Sequence, residues 1–273
     1  MNNTADQNFD PSIVDSLNHP WAIELRNILS DRDNVSPQII IDDEENILQA
    51  IKGNVTVTHV FTTDKPALNP KFLEQLPSSV TILEVAKRTC KKIFDSGRSS
   101  SLFAIALMPT QANITSLQSY KKDMIVLDSL SITGNIGAII RTANAFSVDA
   151  LVFLNTDYHR LFDRRIIRAS RGYLFRIPLI ATTPDEFLAF CQDQAIKMVV
   201  TSSHAKDPIQ SIADTPERLA MIFGAEKEGY TDDTIAKNAL QINIPISAEV
   251  ESLNVSVAAS ICMFLRNGVT QSS

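Results

Sequence analysis

Short apolar runs alternate with amphipathic stretches along most of the chain, which is the pattern of an α/β protein. After an apolar run at 39–41, the predicted strands are 55–62, 80–83, 102–107, 124–128, 151–154, 197–201, 219–223 and 241–244. The predicted helices are 21–29, one opening at Asp43, 71–76, 85–94, one beginning near Asn135, one beginning at Thr183 and 254–266. Thr183 is a strong helix start because Pro184 and Glu186 complete a capping box. We therefore expect two α/β layers, the second built on a parallel sheet.

A polar segment separates the two layers. Residues 109–120 are rich in Gln, Ser, Thr and Asn and are predicted to be a linker. We place an N-terminal domain at 1–112 and a C-terminal domain at 121–273, because a chain of 273 residues can form two separate cores. The first eight residues are polar, and no apolar stretch reaches the roughly 18 residues that a membrane helix needs. We expect a cytoplasmic protein without a membrane partner.

The chain offers little for metal chemistry. Its three cysteines, Cys90, Cys191 and Cys262, lie far apart, and its four histidines are equally scattered. Neither set has the spacing of a zinc site or of a disulfide framework. We therefore expect no metal ion and no disulfide, with the thiols reduced in the core.

The net charge of -6 and the isoelectric point near 5.3 weigh against nucleic acid as a partner. Phosphates are met by local patches, however, and two segments of the chain are strongly basic. One spans 87–98, and the other, 160–176, contains six arginines and no lysine. Because a guanidinium group suits bidentate phosphate contacts, the second segment is a candidate RNA contact. The alternative is an ordinary solvated helix face.

The glycines are concentrated in the C-terminal half. Five of the eight fall in three short segments, 134–137, 170–172 and 224–229, each next to a predicted strand or helix. Glycine is favoured where the backbone turns with positive φ or lies against a ligand. We expect backbone loops at the carboxyl edge of a parallel sheet, where α/β folds bind ligands. Ordinary tight turns are the alternative.

Three motifs in this half carry a family resemblance. They are 135–143 (NIGAIIRTA), 222–229 (IFGAEKEG), and 244–246 (IPI) together with 251–258 (ESLNVSVA). In this order and spacing they resemble the SpoU branch of the SPOUT RNA ribose 2′-O-methyltransferases. Residues 163–175 and, more weakly, 38–107 are similar to the thiostrepton and nosiheptide resistance methyltransferases. The resemblance implies a SPOUT-type parallel sheet with a C-terminal trefoil knot, a ribosomal-protein-like N-terminal RNA-binding domain, and a homodimer.

The resemblance also implies S-adenosylmethionine as the cofactor and assigns residues to three tasks. The implied cofactor contacts are Gly224, Ala225, Glu226, Gly229, Ile244, Ile246, Ser252 and Leu253. The implied catalytic residues are Arg141, Asn135, Glu226, Ser252 and Asn254. The implied RNA contacts are Arg164, Arg165, Arg168, Arg171, Arg88 and Arg98. Because a guanidinium group stays protonated at neutral pH, we expect Arg141 to hold a phosphate and stabilise charge on the 2′-oxygen rather than to act as a base.

The implied reaction is 2′-O-methylation of an adenosine ribose in the GTPase-associated region of 23S ribosomal RNA, which gives resistance to thiopeptide antibiotics. A transfer RNA or another ribosomal RNA site is the alternative substrate. The residues also leave two other classes open. A dinucleotide-dependent oxidoreductase is one, because Asp157 follows Gly137 by about 20 residues, as in a Rossmann motif. A non-catalytic RNA-binding protein is the other.

Overall fold

The computed structural model describes residues 13–31, 36–64, 67–94, 100–202, 205–213, 215–224 and 233–267. The chain divides into two compact units, Met1–Met108 and Pro109–Ser273. The division falls at the start of the segment that the sequence predicts to be a linker. Among the described residues, no helix has both the length and the apolar character needed to cross a membrane.

Within the described residues, the first unit is built on a five-stranded mixed sheet. Its strands are β1 (Ile13–Val14), β2 (Gln38–Asp42), β3 (Val57–Thr62), β4 (Thr81–Val85) and β5 (Leu102–Leu107). They lie in the order β1-β4-β3-β5-β2, with β5 antiparallel to both its neighbours and the other pairs parallel. Its helices are α1 (Pro20–Ser30), α2 (Glu44–Lys52), α3 (Pro70–Leu73) and α4 (Lys87–Ile93).

Two predicted helices of this unit are shorter than expected. The helix predicted over 71–76 is reduced to α3, because Pro77 disfavours helical backbone in the residue before it. The helix predicted over 85–94 begins later, because Val85 completes β4. The two-residue strand β1 is too short to give a pattern and was not predicted.

Three phenylalanines lie in the core beneath α1 and α4. Phe61 and Phe103 stack with ring centroids 5.2 Å apart, and Phe94 meets Phe103 edge to face at 4.9 Å. Burying one such side chain contributes about 1.5–3 kcal/mol. The first unit therefore has a hydrophobic core of its own.

Over the part of the chain that the structure describes, the second unit holds a seven-stranded sheet in which every pairing is parallel. Its strands are β6 (Met124–Asp128), β7 (Ala150–Leu154), β8 (Leu179–Thr182), β9 (Lys197–Thr201), β10 (Asp207–Pro208), β11 (Leu219–Phe223) and β12 (Leu240–Asn243). Their order is β10-β12-β9-β11-β6-β7-β8. Its helices are α5 (Thr133–Ala145), α6 (Arg164–Ala169), α7 (Pro184–Asp193), α8 (Asp233–Asn238) and α9 (Val255–Asn267). The predicted parallel sheet is confirmed.

The segment predicted to be a linker packs into the second unit. Residues Ile114–Ser119 form a 3₁₀ turn, and Ile114 and Leu117 are buried beside Phe187 of α7. Its Gln, Ser and Asn content signals turn structure, but the apolar residues between them point inward. Most of this segment is therefore part of the second core rather than a free connection.

The first glycine segment is helical, which corrects the prediction of a loop there. Gly134 and Gly137 both lie inside α5. A side chain at Gly137 would clash with Ala169 and would stand 2.8 Å from the backbone nitrogen of Ser170. Gly137 therefore serves the close packing of α5 on α6 rather than a ligand. Gly172, by contrast, does turn the chain with a left-handed φ of 73°.

The last turn of α9 is fixed by a buried polar network at the amino ends of the strands. Arg266 Nε lies 2.8 Å from Asp123 Oδ2, and the two side chains are only 13% and 5% exposed. Asp123 also accepts a hydrogen bond from the backbone N–H of Leu219, at the start of β11. The same guanidinium donates to three carbonyl oxygens, those of Ile212, Thr215 and Glu217. The network therefore ties α9 to β6 and β11.

Candidate active site

A cavity of about 550 Å³ opens at the carboxyl ends of three neighbouring strands, β12, β9 and β11. Parallel strands bring the residues that follow them to one edge of the sheet, where α/β folds bind ligands. Residues 244–248, residues 250–253 and the start of α9 complete the wall. The described lining residues are Thr201, Ser202, Phe223, Gly224, Asn243, Ile244, Pro245, Ile246, Ser247, Ala248, Val250, Glu251, Ser252, Leu253, Val255 and Ala258.

Five of the predicted cofactor contacts line this one cavity: Gly224, Ile244, Ile246, Ser252 and Leu253. The other three, Ala225, Glu226 and Gly229, lie outside the described residues. The cavity has the size of an ordinary small-molecule site, and its mixture of apolar walls, hydroxyl groups and backbone is typical of such sites. The structure thus places residues from two separate motifs around one cavity.

Five polar lining residues were not among the predicted site residues: Thr201, Ser202, Asn243, Ser247 and Glu251. Thr201 could have been found, because the predicted strand 197–201 ends there and the carboxyl edge is the binding edge. Ser202, the next residue, could have been found by the same rule. Glu251 belongs to the third motif, but its residue type alone does not distinguish it from an ordinary surface glutamate.

Asn135 and Asn254 meet at the edge of the cavity. The side-chain nitrogen of Asn254 donates to the side-chain oxygen of Asn135 at 3.1 Å. Asn254 also accepts hydrogen bonds from the backbone N–H of Ser256 at 2.8 Å and from its hydroxyl at 2.6 Å, and so caps α9. Leu253, the residue before Asn254, lines the cavity. Two predicted catalytic residues, 119 positions apart, are thereby joined beside the candidate cofactor site.

Arg141 is directed away from this pair in a single chain. It follows Asn135 by six residues in α5, which corresponds to about 9 Å along the axis and about a third of a turn around it. Its side chain is exposed and makes no hydrogen bond or ion pair with any residue that the structure describes. Gly134, Gly137, Ala138 and Ala145 share its side of the helix by spacing. Gly137 packs against α6, but Gly134 and Ala145 are exposed, so the part of this side around Arg141 is open to a second molecule.

The arginine segment contains one strong internal pair. The guanidinium of Arg165 and the carboxylate of Asp163 approach to 2.7 Å, and Asp163 also caps α6 by accepting from the Arg165 backbone N–H. Burial by itself raises the pKa of Asp163, but hydrogen bonds with Arg165 and the charges of Arg165 and Arg168 outweigh it, so this pKa lies below its usual value. Arg165 is therefore partly engaged within the protein.

The other predicted RNA contacts occupy different settings. Arg171 is exposed and has a left-handed backbone with φ of 53°, directly before Gly172. Arg164 and Arg168 are half-buried on α6. In the first unit, Arg88 is exposed on α4, where Lys87, Lys91 and Lys92 are exposed as well. Arg98 lies outside the described residues.

A polar cluster lies where β6 and β7 end. Asp128 is 1% exposed, and its Oδ1 accepts hydrogen bonds from the Ser129 hydroxyl at 3.0 Å and the Asn155 amide at 3.2 Å. Ser129 and Asn155 both have left-handed backbone, with φ of 56° and 54°. Asp128 therefore joins the segment that leads into α5 with the segment that leads towards α6. Sequence reasoning assigned no function to it.

The described residues contain no group of three His, Cys, Asp or Glu side chains that could hold a metal ion. All three cysteines are buried and unpaired with one another. Burial raises the pKa of Cys191 and of Cys262 to about 12, so neither thiol is a nucleophile at neutral pH.

Comparison with known families accounts for both units. The model of the SpoU rRNA Methylase family matches residues 122–264, and that of the Thiostrepton-resistance methylase N terminus matches residues 11–120. The chain belongs to the SpoU rRNA methylase family. Membership confirms the family resemblance drawn from the motifs. It also removes the oxidoreductase alternative, whose phosphate loop would have to stand where α5 is already helical.

Among its relatives, a 23S rRNA (adenosine(1067)-2′-O)-methyltransferase of Streptomyces laurentii is 34% identical over 84% of this chain and 85% of its own length. An enzyme of the same name from Streptomyces azureus is 30% identical over 83% of this chain and 85% of its own. The SpoU methyltransferase AviRb from Streptomyces viridochromogenes, solved in complex with AdoMet, superposes with a TM-score of 0.77. That match covers 92% of this chain and 98% of AviRb at 18% identity, so it shows the fold alone.

Proposed function

We propose that this protein transfers a methyl group from S-adenosylmethionine to the ribose 2′-oxygen of an adenosine in the GTPase-associated region of 23S ribosomal RNA, and that the product resists thiopeptide antibiotics. The observation that carries the proposal is the joining of Asn135 and Asn254 beside a cavity lined by five implied cofactor contacts. The Streptomyces relatives named for this reaction match both units rather than the second alone.

The cavity fits the proposed cofactor. Gly224 follows β11 and has no side chain, so a ligand can approach the backbone there. Ile244, Ile246 and Leu253 provide apolar surface for a purine, and Ser252 provides a hydroxyl for a polar group. When bound, S-adenosylmethionine would supply a methyl group on a positively charged sulfur. The residues of this chain would hold it, orient it and exclude water.

Arg141 would act on the RNA rather than on the cofactor. Its exposed guanidinium can hold a phosphate next to the target ribose and stabilise negative charge developing on the 2′-oxygen. The proton would leave to water or phosphate, because a guanidinium group does not accept it at neutral pH. Asn135 and Asn254 would orient the ribose and fix the relative positions of α5 and α9.

A homodimer is part of the proposal, because Arg141 is directed away from the Asn135–Asn254 pair of its own chain. The same region of α5 and α9 exposes large apolar side chains: Ile132 is 55% exposed, Val257 46% and Phe264 62%. The small side chains of Ala138 and Ala145 would let a second helix approach closely. A partner placed on this surface would bring Arg141 of one chain to the cavity of the other.

The remaining assignments follow from the same proposal. We infer that the first unit binds RNA through the basic face of α4, including Arg88, and that Arg164, Arg165, Arg168 and Arg171 contact the backbone near the target. Arg165 is paired with Asp163, so an RNA contact there would have to compete with that ion pair. A trefoil knot around β12 and α9, a ribosomal-protein-like first domain, domain limits at 1–112 and 121–273, and a cytoplasmic location remain predictions.

The experiment is methyl transfer from tritiated S-adenosylmethionine to a 23S RNA fragment that contains the GTPase-associated region. We expect label at the adenosine named for the Streptomyces relatives, and none when that residue is a 2′-deoxyadenosine. If the 23S fragment stays unlabelled and transfer RNA is labelled, the substrate is transfer RNA instead. Label in neither RNA, with normal cofactor binding, would leave a non-catalytic RNA-binding protein.

A further inference from the structure

One acidic side chain stands out in the wall of the cavity. Of the described lining residues, Glu251 is the one that carries a charge. It precedes Ser252 and Leu253, which line the same cavity, and it makes no hydrogen bond or ion pair with any residue that the structure describes. Each of the other described lining residues is a glycine or has an apolar, hydroxyl or amide side chain. The described part of the wall therefore carries a negative charge, and Glu251 supplies it.

A negative wall distinguishes ligands that are otherwise alike. S-adenosylmethionine carries a positive sulfur, whereas the product of methyl transfer, S-adenosylhomocysteine, has the same shape without one methyl group and without that charge. Apolar walls discriminate poorly between ligands that differ by one methyl group. An unpaired carboxylate in the wall stabilises the positively charged ligand through Coulomb attraction.

We propose that Glu251 is a specificity-determining residue that favours the positively charged methyl donor over its uncharged-sulfur product. The inference rests on the proposed function, because it requires S-adenosylmethionine to occupy this cavity. It adds a task for Glu251 that the motifs do not assign: because the carboxylate attracts the donor but not the uncharged sulfur of the product, it favours replacement of product by fresh donor after each transfer.

The test is calorimetric titration of the purified protein with three ligands: S-adenosylmethionine, S-adenosylhomocysteine and 5′-deoxy-5′-methylthioadenosine, which has neither the sulfonium nor the amino acid charges. In Glu251→Gln we expect the preference for S-adenosylmethionine over S-adenosylhomocysteine to fall about fivefold, the size of one exposed charge interaction. Binding of methylthioadenosine should stay within about twofold, because the amide preserves the shape of the side chain.

Glu249→Gln is the matched control. Glu249 is exposed and only two positions away, but it does not line the cavity, and its removal changes the net charge by the same amount. We expect the ligand preference of this variant to equal that of the wild type. Glu251→Asp, which keeps the charge, should retain most of the preference. Raising the salt concentration to about 0.5 M should reduce the wild-type preference towards that of Glu251→Gln.

The outcomes separate the two proposals. If the wild type binds none of the three ligands, the proposed function fails. If the wild type binds S-adenosylmethionine but Glu251→Gln keeps the full preference, the assignment of Glu251 is overturned while the proposed function stands. Equal weakening of all three ligands would also overturn it, because Glu251 would then act through the shape of the cavity and not through its charge.

Discussion

The two ends of α9 lie in contrasting surroundings. At its end, Arg266 is half-buried and bonded to the buried Asp123 and to three carbonyl groups. At its start, Asn254 is exposed, donates one hydrogen bond to Asn135 and accepts two from Ser256 beside the cavity. A helix held firmly at one end can present exposed polar groups at the other without losing its position. The contrast predicts that changes at the two ends affect different properties, stability at one and chemistry at the other.

Breaking the fixed end should have the largest effect. In Arg266→Met, Asp123 loses its partner while remaining buried, and breaking a buried ion pair by removing one partner costs about 3–5 kcal/mol. We expect the free energy of unfolding in urea to fall by that amount. The double variant Asp123→Asn with Arg266→Met should recover part of the loss, because no uncompensated charge remains. A loss below about 1 kcal/mol would mean that the network does not hold α9.

The second test addresses the open side of α5, where chemistry rather than stability should respond. In Arg141→Lys the planar fork is lost, and removing one such stabilising donor lowers the rate by about 100- to 1,000-fold. Unfolding free energy should stay within about 0.5 kcal/mol of the wild type, since the side chain is exposed. Titration with S-adenosylmethionine should give unchanged affinity. Wild-type turnover would rule out a role for the guanidinium geometry, and Arg26→Lys on α1 is the control.

The third test concerns the packing that positions α5 itself. Gly137→Ala places a methyl group against Ala169 and the backbone of Ser170, and such overpacking costs about 1–3 kcal/mol. Gly134→Ala in the same helix is the control, because no atom lies within 4 Å of the added carbon. Helix propensity favours alanine by up to about 1 kcal/mol, so the control should be neutral or stabilising. Equal thermal melting of the two variants would contradict the packing argument.

The smallest effect is expected at a helix end far from both regions. Thr183 caps α7, and its hydroxyl accepts from the backbone N–H of Glu186 at 3.3 Å. Thr183→Ala should lower the unfolding free energy by about 1 kcal/mol. Thr183→Ser keeps the hydroxyl and should lose little. Methyl transfer by both variants should remain normal, and a large loss of activity would show that stability and chemistry are not separable in this fold.

The elements predicted best are strands whose central residues are buried on both faces. The strands 124–128, 197–201 and 219–223 were predicted with their observed limits, because continuous apolar runs of this length are typical of buried parallel strands. The four-residue strand β8 and the six-residue helices α6 and α8 were not predicted. Helix α6 has an arginine-rich sequence and depends on its Asp163 cap and on contact with Gly137, which no local pattern reveals.

The candidate site, like the fold, could be predicted only in part. Gly224 and Leu253 could be assigned from motifs, but the cavity between them depends on the sheet order β12-β9-β11, which the sequence does not encode in any short window. The interpretation of Gly137 as a loop glycine was wrong. In a sequence, a glycine that permits close packing of two helices looks the same as a glycine that permits a turn. The orientation of Arg141 away from Asn135 follows from helical geometry, yet its consequence for assembly needs the exposed surface around it.

The wall of the cavity is drawn from late and widely spaced stretches of the chain, between Thr201 and Ala258. During synthesis on the ribosome, β6, β7 and β8 can pair well before β11 and β12 exist. Contacts between distant segments are also slow to form, because closing long loops has an entropic cost. A newly made molecule therefore passes through a stage in which three of the seven described strands can pair but no pocket exists, and ligand can stabilise it only after the residues of α9 have been added.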